Sequence, residues 1–134
     1  MGLNISELEG VSPEIGAGLK ALGLNNSDKL LAACAQPGDR AAIAEKLDVD
    51  TRAVLELANR ADLCRIKGVG QIYSDLLEFA GVDTVVELSN RNADNLYATI
   101  MEKAAEHKVQ RTPTAANVQD WVSQAKELGR AIHY

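Results

Sequence analysis

The sequence predicts an all-α protein built from two related helical segments. No stretch of the 134 residues alternates apolar and polar side chains for long enough to indicate a strand. Apolar residues instead recur with helical spacing between short segments rich in Gly, Pro, Asn and Ser. The pattern of glycines and apolar residues in Leu8–Leu24 also recurs in Ile66–Val82. Self-similarity of this kind is typical of an internal duplication.

The two copies align with a constant offset of 58 residues. The aligned pairs are Leu8 with Ile66, Gly10 with Gly68, Val11 with Val69, Leu19 with Leu77, Gly23 with Gly81, Leu24 with Val82, and Leu30 with Leu88. The register then slips, and a final helix aligns again with an offset of 64, pairing Val54 with Val118 and Leu57 with Trp121. We therefore expect two domains, residues 1–60 and residues 61–134, each with about five short helices.

In the first copy, Ser12 and Pro13 are expected to open a helix, because serine caps helix N-termini and proline fits the first turn. Gly23 is expected to end that helix in a left-handed conformation. The segment 25–27 offers caps for the next helix, and Pro37-Gly38 marks a break before a third. The side chains expected to face inward from the first helix are Ile15, Leu19 and Leu22.

In the second copy, Gly81 is expected to end the equivalent helix. Thr84 and Glu87 have capping-box spacing, and Asn92 or Asp94 is expected to start a longer helix. The helix before Gly81 is expected to bury one face, formed by Ile72, Tyr73, Leu76, Leu77 and Ala80.

The last helix is expected to start at Thr112-Pro113, with the proline in its first turn. Its buried face is expected to consist of Val118, Trp121, Val122, Ala125 and Leu128. Trp121 has core spacing, so we expect it to be buried and not to act as a base-stacking platform.

The segment Ile66–Gly70 reads apolar-Lys-Gly-Val-Gly between two helical patterns, and Gly81-Val82 follows eleven residues after Gly70. This is the layout of a helix-hairpin-helix, a module that often holds a nucleic-acid phosphate. Ser12 replaces the second glycine in the first copy, so that hairpin is altered. In the first copy, Gln36-Pro37-Gly38 resembles a second, degenerate hairpin. The equivalent turn of the second copy, residues 91–93, has no glycine.

The predicted fold is therefore two tandem helix-hairpin-helix pseudo-repeats, each a five-helix, SAM-like unit, packed as one compact unit. The first repeat, residues 1–60, has the altered hairpin, and the second, residues 61–134, keeps the intact Gly-Val-Gly hairpin.

Phosphate binding would need glycines in this turn, because glycine adopts tight-turn angles and lets an anion approach the backbone. The following helix N-terminus also favours an anion. The predicted nucleic-acid-binding residues are Arg65, Lys67, Gly68, Val69, Gly70 and Gln71. A purely structural interpretation stays open, in which the turn only packs two helices and Val69 fills the core.

Charge and cysteine content limit the function. The net charge is −5 and the pI about 5.0, with −3 in residues 1–60 and −2 in residues 61–134. Neither half is basic, which argues against tight nonspecific binding to duplex nucleic acid. Cys34 and Cys64 form no metal-ligand spacing, so we expect no metal and no cofactor, and a reduced, cytoplasmic protein. No signal-peptide pattern and no membrane-length apolar run is present, so no membrane partner is expected.

No arrangement of side chains indicates catalysis. His107 lies near a helix end without a Cys or His partner at ligand spacing, and we expect it to be solvated. Both cysteines are expected to be small buried apolar groups, and no activated nucleophile is indicated. The chain is therefore expected not to be an enzyme.

The segment Leu63–Val82, together with Asn59–Leu63 before it and Gln124–Leu128 near the end, resembles a family of small tandem proteins catalogued as domain of unknown function 4332. The resemblance covers nearly the whole chain and is strongest from Asn59 to Glu87. It implies the tandem helical fold and a loose kinship to DNA repair and recombination modules, and it implies no particular activity.

These observations favour a non-enzymatic binding module. The more concrete hypothesis is weak, sequence-independent contact with a DNA or RNA backbone through the second hairpin. The alternative is an adaptor whose acidic helical surface docks a protein partner and whose hairpins are structural.

Overall fold

The computed structural model describes residues 4–5 and 11–133 of the chain. These residues form eight α-helices and no strand, and one isolated bridge pairs Asn4 with Asn26. The helices are α1 (Pro13–Ala21), α2 (Ser27–Ala33), α3 (Pro37–Leu47), α4 (Thr51–Leu63), α5 (Gln71–Phe79), α6 (Val85–Ser89), α7 (Ala93–Glu106) and α8 (Ala115–Leu128). The all-α prediction is confirmed. Within the same residues, no helix has the length and apolar character needed to cross a bilayer.

The chain divides into two compact units. The first comprises Met1–Arg65 together with Arg130–Tyr134, and the second comprises Ile66–Gly129. The sequence placed the division after residue 60, whereas here it follows the end of α4. The described residues contain four helices in each unit, where about five were predicted.

The helices of the two units correspond in order, position and packing. α1 and α5 both have nine residues and start 58 positions apart, α2 and α6 also start 58 apart, and α4 and α8 start 64 apart. In the first unit, α2 and α3 pack on α4, and α1 packs on α3. In the second unit, α6 and α7 pack on α8, and α5 packs on α7. The offsets seen in the sequence therefore recur as helix positions.

Gly23 and Gly81 end α1 and α5 in the same way. Both have positive φ, 79° and 89°, which glycine adopts without strain. The next backbone N–H reaches back across the turn in each case, from Leu24 to the Leu19 carbonyl at 2.9 Å and from Val82 to the Leu77 carbonyl at 2.8 Å. Both predicted left-handed helix ends are confirmed.

Most predicted helix starts are confirmed, and two are wrong. α3 begins at Pro37, so the predicted break at Pro37-Gly38 is the first turn of that helix, where proline fits. Ser12, Asn26, Thr84 and Asn92 each accept a hydrogen bond from a backbone N–H in the helix that follows. α8, however, starts after Thr114 and not at Thr112-Pro113. Thr114 and Asn117 form a reciprocal capping box there, with bonds of 2.9 and 3.1 Å. Two backbone N–H groups are satisfied by this pair, which outweighs the preference of proline for a first turn.

Each unit has its own apolar interior. The first unit buries Ile5, Leu19, Leu30, Leu31, Cys34, Ile43, Ala44, Val54, Leu57, Ala58, Ala61, Cys64 and Ile132. The second buries Ile66, Val69, Leu76, Leu77, Ala80, Val82, Val85, Leu88, Leu96, Ile100, Ala104, Val118, Trp121, Val122 and Ala125. The expected burial of both cysteines and of Trp121 is confirmed.

Three side chains predicted to face inward are exposed. Leu22, Ile72 and Leu128 have exposed fractions of 37%, 41% and 40%. Leu22 is the C-cap of α1, Ile72 is the second residue of α5, and Leu128 is the last residue of α8. The apolar periodicity continues to these positions at the helix ends. No described helix covers them fully there, so the pattern predicts more burial than the structure has.

The segment after α8 returns to the first unit. Ile132 is buried in that core, and the His133 N–H donates to the Ala35 carbonyl at 2.8 Å. The buried Arg40 guanidinium donates to the carbonyls of Cys34 and His133, at 2.9 and 2.6 Å. One side chain thus ties the returning segment to the connection between α2 and α3.

Candidate functional site

The glycine turn, residues Ile66–Gly70, leads into α5 and lies in the second unit. Ile66 and Val69 are buried, and the Val69 N–H donates to the Ile66 carbonyl at 3.1 Å. Gly68 sits between them with φ of +95°, in the left-handed region that favours glycine. Two buried apolar side chains therefore hold the turn, while Lys67 and Gly68 face solvent.

Gln124 of α8 holds the backbone of Lys67 from both sides. Its Oε1 accepts from the Lys67 N–H at 2.9 Å, and its Nε2 donates to the Lys67 carbonyl at 3.1 Å. Nε2 also donates to Asp120 Oδ2 at 2.8 Å, which orients the amide. The backbone of Lys67 is fixed by these bonds, and its side chain is exposed.

The N-terminus of α5 has no side-chain cap. Gly70 is the N-cap residue, with extended backbone angles, and it offers no acceptor to the first-turn N–H groups of Gln71, Ile72 and Tyr73. The corresponding α1 differs, because Ser12 Oγ accepts from the Ile15 N–H at 3.2 Å. Free N–H groups and the positive end of the helix dipole give α5 the elements of an anion site.

Trp121 lies beneath this turn. A Cβ atom built on Gly68 would lie 3.4 Å from Trp121 Nε1. The Trp121 ring also packs against Tyr73, the third residue of α5, with ring centroids 5.2 Å apart. Arg111 lies over the Tyr73 ring, 5.8 Å from its centroid, and adds positive charge.

The charges around the glycine turn are mixed. A cleft of about 420 Å³ is lined by Lys67, Asp120, Gln124, Glu127 and Leu128. The second unit carries six Lys and Arg against nine Asp and Glu, a net charge of −3. An anion at this turn would therefore be held mainly by local N–H groups and Lys67, against an unfavourable general field.

The predicted site residues do not all belong to one unit. Lys67, Gly68, Val69, Gly70 and Gln71 lie together at the start of the second unit. Arg65 belongs to the first unit, where its Nη1 forms an ion pair with Asp62 Oδ1 at 2.8 Å. Its charge is compensated locally by that carboxylate.

Sequence reasoning missed the parts that Gln124 and Trp121 play at the turn. Gln124 lies 57 residues from Lys67, and Trp121 lies 53 residues from Gly68. No local pattern links such distant positions. The sequence alignment of α4 with α8 relates the two helices to each other, but it does not show which side chains of α8 contact the glycine turn.

The first-copy counterpart of this turn is described only from Val11 onward, and Leu8 and Gly10 lie outside the described residues. Ser12 lies where the second copy has Gly70. A cleft of about 440 Å³ adjoins the start of α1, lined by Val11, Ser12, Pro13, Gly16, Ala17 and Lys20. The Ser12 hydroxyl already accepts from a first-turn N–H of α1. The start of α1 therefore has fewer free N–H donors than the start of α5.

Side chains suited to metal binding are not gathered in the described part of the chain. No cluster of three or more His, Cys, Asp or Glu side chains there could hold a metal ion. Burial raises the pKa of the Cys34 thiol to about 11, partly offset by the positive charge of Arg40. A thiol with that pKa stays protonated near neutral pH and is a poor nucleophile.

Over the described residues, these features define an all-α protein of two units with four helices each. The first helix of the second unit has a glycine as its N-cap residue and no side-chain cap. The chain belongs to the family described as domain of unknown function DUF4332, whose model matches residues 9–128. No curated protein and no solved structure matches the chain. The family description assigns no activity.

Proposed function

We propose that this chain is a non-enzymatic binding module that contacts the phosphate backbone of DNA or RNA, weakly and without reading sequence. In this proposal the two units are tandem helix-hairpin-helix repeats, and the glycine turn is the working hairpin. The module would act in the cytoplasm, where its two free cysteines stay reduced.

The observation that carries the proposal is the start of α5. Its N-cap is Gly70, whose missing side chain leaves the first-turn N–H groups for an external acceptor. Lys67 is exposed beside it, and its backbone is held by Gln124. A phosphate oxygen accepts from such N–H groups in the same way whatever base is attached.

The acidic surroundings set the expected strength. Nucleic-acid affinity depends mainly on the number of phosphates that basic side chains neutralise. The second unit has a net charge of −3, so few phosphates are engaged. The proposal therefore predicts low affinity and a shallow dependence on salt.

The direct test is fluorescence anisotropy with labelled single- and double-stranded DNA and RNA. We expect binding at about 50 mM salt and weaker binding at about 200 mM, since screening grows with ionic strength. Lys67→Glu should abolish binding with the fold intact. Lys126→Glu is the matched control, because Lys126 is also exposed in the second unit and the charge change is identical. Absence of binding at the lower salt contradicts the proposal.

A second candidate function is a protein-docking adaptor, favoured by the outer face of α5. Ile72 and Phe79 are exposed by 41% and 38%, and seven residues of helix place them on one face. The first unit has Glu14 and Ala21 at the corresponding positions, so this apolar pair is particular to the second unit.

The adaptor is tested by placing a photo-crosslinking amino acid at Phe79 in the intact chain. The adaptor requires a discrete protein product that disappears with Ile72→Asp and persists with Leu22→Asp, a matched change at an exposed leucine of the first unit. A product unaffected by Ile72→Asp, or no product, removes this candidate.

A further inference from the structure

Trp121 carries a hydrogen-bond donor that the described residues do not satisfy. The side chain is 2% exposed, and its Nε1–H has no acceptor within residues 4–5 and 11–133. Among the fully buried side-chain N and O atoms of those residues, Asn59 Oδ1 is the unpartnered one. Trp121 Nε1 is not among those atoms, so it is not completely sealed from solvent. Buried indole N–H groups usually find a partner, so this open donor calls for an acceptor.

Gly68 keeps the indole nitrogen accessible. A Cβ atom at this position would meet Nε1 at 3.4 Å, and no other described heavy atom outside Gly68 and its two chain neighbours would lie within 4 Å of it. Any side chain larger than hydrogen would thus contact the indole nitrogen. Gly68 itself is exposed, so the space that its missing side chain leaves is open to solvent.

The indole also lies next to the free end of α5. Its ring is 5.2 Å from the ring of Tyr73, which occupies the third position of that helix. Gly68 and the N-cap Gly70 are two residues apart in one tight turn. The side-chain donor and the first-turn backbone donors therefore border the same short stretch of chain.

We propose that Trp121 is a binding residue of the glycine turn, and that its indole N–H donates to a phosphate oxygen held by the N-terminus of α5. This inference rests on the proposed function and adds a side-chain donor to it. The ligand must accept hydrogen bonds, since indole and backbone N–H groups donate them and accept none, and a phosphate oxyanion does so. The proposal also gives Gly68 a second role, because this glycine must both adopt positive φ and leave the indole uncovered.

The test uses the ¹⁵N–¹H spectrum of the full chain. Trp121 is the only tryptophan, so its indole gives a single, unambiguous cross-peak. A single-stranded oligonucleotide without terminal phosphates is titrated at about 50 mM salt, where electrostatic attraction is least screened. We expect the indole proton to move downfield together with the amides of Gln71 and Ile72. Inorganic phosphate is titrated in a separate arm.

A matched variant isolates the N–H group. Replacing Trp121 by 3-benzothienylalanine keeps the shape of the ring and removes the donor. We expect oligonucleotide affinity to fall about tenfold, because a hydrogen bond to a charged group contributes at least that much. The amide spectrum away from the turn should stay native. Trp121→Phe provides a genetically encoded second variant, with unfolding monitored separately.

The outcomes distinguish this inference from the proposed function. Binding with a stationary indole peak and unchanged affinity in the benzothienyl variant overturns the role of Trp121 and leaves backbone binding by the turn. If neither the indole peak nor the amides of Gln71 and Ile72 shift with the oligonucleotide or with inorganic phosphate, both this inference and the proposed function are overturned. An indole shift with inorganic phosphate alone supports the donor and overturns a nucleic acid as the source of the phosphate.

Discussion

The side-chain amide of Gln124 pairs with both backbone polar groups of Lys67, accepting from its N–H at 2.9 Å and donating to its carbonyl at 3.1 Å. One side-chain amide thus bridges the two peptide groups on either side of the Lys67 Cα. The second residue of the glycine turn is therefore positioned by α8, and the lysine side chain is exposed.

Replacing Gln124 by Glu should destabilise the second unit and loosen the turn. The carboxylate cannot donate to the Lys67 carbonyl, and it faces the negative charge of Asp120, to which Gln124 now donates. We expect a loss of about 1–2 kcal/mol in urea unfolding. Gln119→Glu, the same change at an exposed position of α8, should cost less than about 0.5 kcal/mol. Equal effects of the two changes would show that the pairing with Lys67 contributes nothing.

Introducing serine at Gly70 should stabilise the protein and weaken anion binding together. Gly70 has extended angles, and a Cβ there meets no described atom within 4 Å, so serine fits as an N-cap, as Ser12 does in α1. We expect a gain of roughly 0.5–1 kcal/mol in thermal unfolding. The hydroxyl then occupies an N–H group that phosphate would need.

Gly70→Ala is the matched control for that serine. It adds the Cβ atom without an acceptor, so the first-turn N–H groups stay free and oligonucleotide binding should persist, while stability falls slightly. If the serine and alanine variants bind alike, the first-turn N–H groups are not the binding groups.

Removing the guanidinium of Arg40 should destabilise the first unit strongly. Arg40→Met keeps an apolar stem but leaves the carbonyls of Cys34, Ala35 and His133 without this donor. Unsatisfied buried acceptors are costly, and we expect a loss of roughly 2–4 kcal/mol by denaturant unfolding. Faster amide exchange at His133 should accompany it. Arg52→Met, which removes an exposed ion pair with Glu56, should cost less than about 0.5 kcal/mol.

Stability should decline in alkaline solution because of Cys34. Its thiol has a pKa of about 11 in the folded protein, raised from 9.0 mainly by burial. The folded state therefore holds its proton more tightly than the unfolded state, and this contribution is complete below about pH 9 and lost between about pH 9 and 11. We expect a decrease of about 1–2 kcal/mol over that interval. In the Cys34→Ala variant the alkaline decrease should be smaller by this amount; an identical decrease would exclude the thiol as its source.

Features set by neighbouring residues could be predicted from the sequence. Gly23 and Gly81 end their helices because the left-handed turn requires glycine locally, and Ser12 and Thr84 cap because their acceptors lie three residues from the N–H they bind. The start of α8 differs from the prediction because the reciprocal pair of Thr114 and Asn117 determines it and Pro113 does not.

Features that depend on distant contacts could not be predicted. The spacing of Trp121 predicts a buried side chain. The position of its indole nitrogen next to Gly68 depends on how α8 packs, which the spacing does not give. The return of Ile132 to the first core has no sequence signal, since one apolar residue in a short segment has no periodicity. The exposure of Ile72 likewise depends on where the packing partner of α5 ends.

The bond from Arg40 to the His133 carbonyl spans 93 residues of chain. During synthesis, all of Ile66–Gly129 leaves the ribosome before Ile132 and His133 do. The unit whose helices are made first therefore receives its last core side chain only after the other unit has been fully translated. Although the N-terminal part of a chain usually folds first, this core can be completed only after the second unit has been made.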